Sequence, residues 1–301
     1  MGGPVLQVAA GLDHTCVLLA QGTVRCWGSA YFGQLGYGMG DPGICEGEPC
    51  NTYDIGDNEA RGAGGDIDVG GAVVQIAAAG YYTCAVLSDG TMRCWGALGH
   101  FDGAFSDVIG STIDQTPAQG TTVDVGGDVT QVSLGLFHGC VLLSSGSVRC
   151  FGLGDFPSTG QLGYANGSDV GDDETPASAG DVDIGGKVMQ IAAGWDHTCA
   201  LLEAGNVRCW GAGDAGQLGY GNTLSIGDNE TPASAGDVDV GGKVIQISAG
   251  FKDTCALLEV GTVRCWGEGA DVVGAGWLGY GNTDTIGDNE TPASAGDVQV
   301  F

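Results

Sequence analysis

The sequence predicts an all-β fold, a β-propeller of five four-stranded blades, closed by a C-terminal strand pairing with the first blade. Three observations predict it. One unit recurs five times along the chain. Each unit reads as short apolar segments broken by glycine, without helical periodicity. Ten of the twelve cysteines fall in pairs at one constant spacing.

The repeat aligns without a gap from a shared Gln to a shared Cys: Gln7–Cys16 (QVAAGLDHTC), Gln75–Cys84 (QIAAAGYYTC), Gln131–Cys140 (QVSLGLFHGC), Gln190–Cys199 (QIAAGWDHTC) and Gln246–Cys255 (QISAGFKDTC). Repeat cores therefore begin near residues 5, 73, 129, 188 and 244 of a single propeller domain covering residues 1–301. In the last unit VIQISAG (244–250) is an apolar strand closed by Gly, and CALLE and TVRCW flank a turn containing Gly261, a hairpin signal. A fourth strand of the DVDV type follows a loop, at Asp66–Val69, Thr122–Val125, Asp181–Ile184, Asp237–Val240 and Asp297–Val300. The first core has no such strand before it and the last strand has no core after it. Closure of the ring by residues 297–300 on the blade begun at Val5 is the expected solution, because it leaves no sheet edge open. That favours a monomer; donation of the same strand to a neighbour would give an oligomer.

Composition agrees. Glycine is 59 of 301 residues, charged residues are 15%, and hydrophobic residues reach 43%, which suits many tight turns around a real core. Acidic residues outnumber basic ones 37 to 9, for a net charge of −28. Such a surface repels phosphate backbones and anionic lipid, so neither nucleic acid nor membrane insertion is expected. No apolar run has the length of a membrane span, and MGGPVLQVAAG lacks the charged and apolar regions of a signal peptide, so none is expected in this chain.

The cysteine pairs are Cys16 with Cys26, Cys84 with Cys94, Cys140 with Cys150, Cys199 with Cys209 and Cys255 with Cys265. Opposing Leu19 to Thr23 across the first hairpin sets Leu18 against Val24, Val17 against Arg25 and Cys16 against Cys26, within disulfide reach. Cys45 and Cys50 remain to close a small loop in the longest insertion. Paired CxxC motifs are absent, so disulfides are favoured over zinc, and with them an extracellular or cell-surface location.

The apolar strand, the Gly turn with His, the hairpin and the WG…GQLGYG element resemble the regulator of chromosome condensation repeat. Trp27-Gly28 with Gly33-Gln34-Leu35-Gly36 and Trp210-Gly211 with Gly216-Gln217-Leu218-Gly219 are close matches. Phe151-Gly152 with Gly160-Gln161-Leu162-Gly163 is near, and Trp266-Gly267 with Gly276-Trp277-Leu278-Gly279 is looser. The second unit keeps Trp95-Gly96 without GQLG. The resemblance implies a propeller, usually of seven blades, with a face that binds another protein, and it makes His14, His138 and His197 locally bonded turn residues. A secreted, bacterial-like, cysteine-rich variant fits the cysteines and acidity.

Arg25, Arg93, Arg149, Arg208 and Arg264 share one repeat position. They are read as structural residues paired with acids such as Glu174, Glu230 and Glu290, ahead of an anion-binding ring. No catalytic grouping stands out, and no cofactor is expected. The Asp-rich segment 221–237 is a weak calcium candidate, without EF-hand spacing. Positions that vary inside an otherwise constant repeat mark the binding candidates: Leu12, Tyr81, Phe137, Trp195 and Phe251 around the Gly turn, and Trp277 in the last loop. The expectation is a non-catalytic extracellular module that engages a protein through one propeller face and its variable loops. The alternatives are a surface-assembly protein polymerising by terminal strand exchange and a secreted enzyme-inhibitor-like propeller.

Overall fold

The structure, a computed structural model, describes residues 3–38, 54–56, 64–97, 116–154, 159–270, 274 and 276–300. Five three-stranded antiparallel sheets follow one another in chain order. The first holds β1 (Val5–Ala10), β2 (His14–Leu19) and β3 (Val24–Gly28); the second holds β4 (Val73–Ala79), β5 (Tyr81–Leu87) and β6 (Met92–Ala97). The third is β7 (Val129–Leu134), β8 (His138–Leu143) and β9 (Val148–Gly152). The fourth is β10 (Val188–Ala193), β11 (His197–Leu202) and β12 (Val207–Gly211), and the fifth β13 (Val244–Ala249), β14 (Asp253–Leu258) and β15 (Val263–Gly267). Three one-turn helices, α1 (Pro176–Ala179), α2 (Pro232–Ala235) and α3 (Pro292–Ala295), complete the elements. The chain divides into two compact units, residues 1–132 with 171–179, and residues 133–170 with 180–301.

Each sheet is built the same way. The inner strand carries a register shift, between Val73 and Gln75 in β4 and between Val244 and Gln246 in β13, which puts two apolar residues three apart on one face. Val73 with Ile76 and Val244 with Ile247 are accordingly buried. The hairpin closes through Gly205 at φ +89° in the fourth sheet, the left-handed conformation that a three-residue loop needs. Across that hairpin Cys199 faces Cys209, Ala200 faces Arg208 and Leu201 faces Val207.

All five cysteine pairs expected at this spacing are disulfide-bonded. Cys16 is joined to Cys26, Cys84 to Cys94, Cys140 to Cys150, Cys199 to Cys209 and Cys255 to Cys265, with Cα atoms 4.0–4.1 Å apart. Cys94, Cys150 and Cys265 each stand on the third strand of their sheet, directly opposite the partner on the second. Cys45 and Cys50 lie outside the described residues, so the sixth expected pair is not placed.

The fourth strand differs from expectation. The DVDV-type segments touch the third strand through one backbone bond each: Ile67 N–H to Val24 C=O, Val182 to Val148, Val238 to Val207 and Val298 to Val263. The reason is competition for the backbone. The next carbonyl along, at Asp183 or Asp239, accepts instead from Ala233 in α2 or Ala293 in α3 of the following repeat, so the ladder cannot extend. Blades are thus three-stranded, with an outer segment shared between neighbours.

The terminal segment also sits differently from the closing role expected of residues 297–300. Val298 bonds to Val263, and Asp297 pairs with Arg264, so the segment completes the fifth sheet, which it follows in sequence. The offset of cores and DVDV segments is therefore satisfied within each repeat.

The arginines do not pair with Glu174, Glu230 or Glu290. Arg25, Arg149, Arg208 and Arg264 bond instead to Asp66, Asp181, Asp237 and Asp297 at 2.5–2.9 Å, the first residues of their own outer segments. The second repeat has Thr122 where the others have that aspartate, and Arg93 turns to the carbonyls of Pro117 and Gly120, both at 2.7 Å. Arg208 and Arg264 also donate to Ile184 and Val240 of the preceding repeat. These guanidinium groups are clamps between and within repeats.

Candidate functional site

One full set of contacts joins the first sheet to the second and the fourth to the fifth, and these hold the variable turns in place. Between the second and third sheets, where Tyr82, Gly139 and Phe151 replace the histidine, threonine and tryptophan, Gln75 still bonds the Val132 backbone. In the first unit Gln7 bonds the Ile76 backbone twice, His14 Nε2 lies 2.8 Å from Thr83 Oγ1, and the Trp95 indole donates to Gln34 C=O. The second unit repeats the set: Gln190 with Ile247, His197 Nε2 with Thr254 Oγ1 at 2.9 Å, and Trp266 with Gln217 C=O. His138 meets Thr198 likewise at 2.8 Å. The histidine rings therefore bond across to the next repeat, while the histidine carbonyls accept locally from the turn glycines Gly11, Gly135 and Gly194. Burial lowers the pKa of His14 and His197 to about 4 and that of His138 to about 3, so they stand neutral at pH 7. A neutral ring sealed against a threonine has no free base to offer a substrate.

Each histidine ring packs beneath its own turn glycine. A Cβ on Gly194 would lie 2.3 Å from His197 Cε1 and 2.5 Å from Gly250 C=O. Only glycine fits, and the close approach lets one turn bond the next. Leu12 N–H donates to Gly80 C=O in the first unit, and in the second Leu136 donates to Trp195 and Trp195 to Gly250. This backbone ladder displays the residues just after each glycine.

In the second unit it brings Trp195 and Phe251 into edge contact, ring centroids 4.5 Å apart, with Phe251 45% exposed. Beside them Lys252 pairs with Asp214 at 2.9 Å. Asp196 is pushed up to about 6 by burial, opposed by Lys252 and reinforced by the Asp214 charge. The ladder's neighbouring side chain, Leu136, is buried, while Phe137 is half-buried. In the first unit Leu12 is exposed, and Tyr81 packs on Phe32 at 4.8 Å, with Tyr31 against Phe32 at 4.6 Å. Trp277 lies on the fifth repeat's loop, its amide bonded to Gly269 C=O and its side chain 40% exposed.

Two groups thus emerge: Trp195–Phe251 with the Lys252–Asp214 pair, and Tyr81–Phe32–Tyr31 near Leu12. Sequence reasoning missed Tyr31, Phe32 and Asp214. Their signal was available, since the residues before Gly33 and Gly216 vary as freely as the turn positions. A third feature is acidic: the carboxylates of Asp172, Asp173 and Glu174 gather within 4.8 Å, and burial with these two neighbours pushes Glu174 up to about 7. Two exposed carboxylates and one half-buried one, each offering one ligand atom, fall short of the six to eight oxygens calcium takes.

The family description "Regulator of chromosome condensation (RCC1) repeat" matches residues 5–34, 73–100, 129–156 and 188–217, and a second match of that description covers 204–257. The Arabidopsis thaliana ultraviolet-B receptor UVR8 is 28% identical over 280 residues, 93% of this chain and 56% of that protein. Among solved structures, yeast RCC1 (Prp20) bound to Kap60 superposes with a TM-score of 0.65 at 20% identity, over 99% of this chain and 64% of that one. Human WBSCR16 superposes with a TM-score of 0.66 at 22% identity, over 98% and 67%. The fold is thus propeller-like, and this chain spans little more than half the length of the curated relative. With matched segments in all five repeats, the chain belongs to the regulator of chromosome condensation repeat family.

Proposed function

We propose that this chain is a non-catalytic protein-binding module that works outside the cell and takes its partner on the turn face centred on Trp195 and Phe251. The observation that carries this reading is the edge-packed Trp195–Phe251 pair, half exposed at Phe251, on a backbone that the turn ladder and the His197–Thr254 bond hold still. A preorganised aromatic pair beside a lysine–aspartate pair is the composition of a binding hot spot.

Three further observations support it. Yeast RCC1, which shares the fold, is seen bound to Kap60, another protein. The net charge of −28 disfavours nucleic acid and anionic membranes. Five disulfides suit an oxidising compartment. The buried, neutral histidines support a non-catalytic role.

The test is capture of proteins from the host's extracellular medium on the immobilised chain, compared with Trp195→Ala/Phe251→Ala. Loss of two hot-spot aromatics is expected to weaken retention of a true partner at least about 30-fold, or ~2 kcal/mol. Retention equal to that of the unaltered chain refutes the turn face.

A further inference from the structure

The Asp196 carboxylate is half-buried and has no hydrogen-bond partner among the described residues. Its backbone is fixed, because its carbonyl accepts from Ala212 and the next residue, His197, is sealed against Thr254. Trp195, on its other side, bonds the turns of both neighbouring repeats: its carbonyl takes Leu136 N–H, and its own N–H goes to Gly250 C=O. One rigid turn of the fourth repeat, bonded to the third and the fifth, therefore presents carboxylate and indole together. A half-buried carboxylate has given up part of its water and recovers the loss from donors or an opposite charge. Here burial pushes its pKa up to about 6, because that recovery is incomplete.

The local cation is already engaged. Lys252 donates to Asp214 at 2.9 Å, and Asp214 takes a second bond from Gln217 at 3.1 Å. Glu268, whose amide bonds the Lys252 carbonyl, adds a third carboxylate acting on the same ammonium. One ammonium against Asp196, Asp214 and Glu268 leaves the patch negative, beside the Trp195 and Phe251 rings. The net charge of −28 extends the same sign over the whole chain and draws cationic groups toward it.

These features select one kind of anchor. An acidic side chain is repelled, and an aliphatic one strips Asp196 of its remaining water and gives nothing in return. A lysine ammonium holds its own water tightly. A guanidinium is planar and weakly hydrated, stacks on aromatic rings, and meets a carboxylate through two parallel N–H bonds. Resting on the reading of this face as the partner site, we infer that the partner's anchor is an arginine side chain that pairs with the Asp196 carboxylate and stacks on Trp195. Asp214 and Glu268 form the acidic rim around it.

The probes are three blocked peptides in which glycine and serine flank one central residue: arginine, its neutral isostere citrulline, or glutamate. Each is titrated into the full chain and followed by NMR at the Trp195 indole N–H, a signal assigned by its loss in Trp195→Phe. Saturable shifts are expected with arginine, at least about tenfold tighter than with citrulline, and none with glutamate. Asp196→Asn breaks no bond of the fold, which circular dichroism checks, and is expected to bring arginine down to the citrulline level. Glu203→Gln/Glu259→Gln removes two exposed carboxylates at the far ends of β11 and β14 and is expected to leave arginine binding unchanged. The inference is overturned by equal affinity for arginine and citrulline, by no saturable arginine binding, or by unchanged arginine binding in Asp196→Asn. An equal loss in the Glu203/Glu259 variant also overturns it, since the attraction would then be general. Partner capture that fails in Trp195→Ala/Phe251→Ala but survives in Asp196→Asn keeps the face and strikes only the arginine; capture that survives the aromatic variant strikes the face itself.

Discussion

His197 Nε2 lies 2.9 Å from the hydroxyl of Thr254, fifty-seven residues further along the chain, and both side chains are sealed from solvent. His14–Thr83 and His138–Thr198 repeat the bond. The consequence is a specific acid sensitivity. These rings have folded pKa values near 3–4 against about 6.5 unfolded, so below pH 6.5 the unfolded chain takes up protons that the folded chain refuses. Stability is full above pH 6.5 and falls as pH drops from there toward 4. The loss by pH 4 is at most roughly 3 kcal/mol per histidine. Imidazole NMR signals of His138 and His197 are expected to stay at neutral-form shifts down to about pH 5. Protonation of either near pH 6.5 in the folded chain would refute the sealed joint.

Glu174 works with the opposite sign. Burial and the carboxylates of Asp173 and Asp172 raise its folded pKa to about 7, so stability is full below the unfolded value of 4.5 and is lost as pH climbs from there to about 7. Glu174→Gln is expected to raise Tm at pH 8 and to make little difference near pH 5. An equal effect at both values would show that neither burial nor the neighbouring carboxylates raise the Glu174 pKa.

Arg208 clamps two repeats at once, through Nε to Asp237 at 2.7 Å and through a terminal nitrogen to Ile184 C=O. Lysine has one nitrogen and no fork, so Arg208→Lys keeps at most one of these bonds. The expected loss is about 1–2 kcal/mol in a denaturant melt, most of it insensitive to salt because one partner is a neutral carbonyl. A loss abolished by salt would make the surface ion pair the whole effect.

Each hairpin disulfide closes a separation of ten residues. Cys199→Ala/Cys209→Ala is expected to cost ~2–3 kcal/mol by loss of the loop constraint alone. Reduction of the intact chain should lower Tm far more than this one double variant does. If reduction left Tm unmoved, the bridges would carry no stability.

The hairpin register was legible in the sequence, because two positions facing across a tight turn are fixed by counting. Cys16 opposite Cys26 and Val17 opposite Arg25 follow from Leu19 meeting Thr23. The same count sets Cys94, Cys150 and Cys265 against their partners in the later sheets. The arginine partners were not legible in the same way. Asp66 lies 41 residues beyond Arg25, and the recurrent glutamates looked equally suited until the outer segment was seen to run beside β3. The candidate site was half legible: variation at Trp195 and Phe251 marked them, but their edge contact and the Lys252–Asp214 neighbour belong to the turn ladder.

By itself the sequence determined the number of repeats, the first three strands of each, though it added a fourth that forms no full strand, and the pairing of ten cysteines. These rest on local periodicity and short-range turn geometry, which neighbouring residues set on their own. Only the tertiary structure decided what the fourth segments do. Their backbone groups are divided between their own sheet, as at Val182 with Val148, and the next repeat, as at Asp183 with Ala233. It also decided that the turn histidines seal one repeat against another. Both outcomes depend on which of several competing hydrogen-bond partners, tens of residues apart, packing brings within reach.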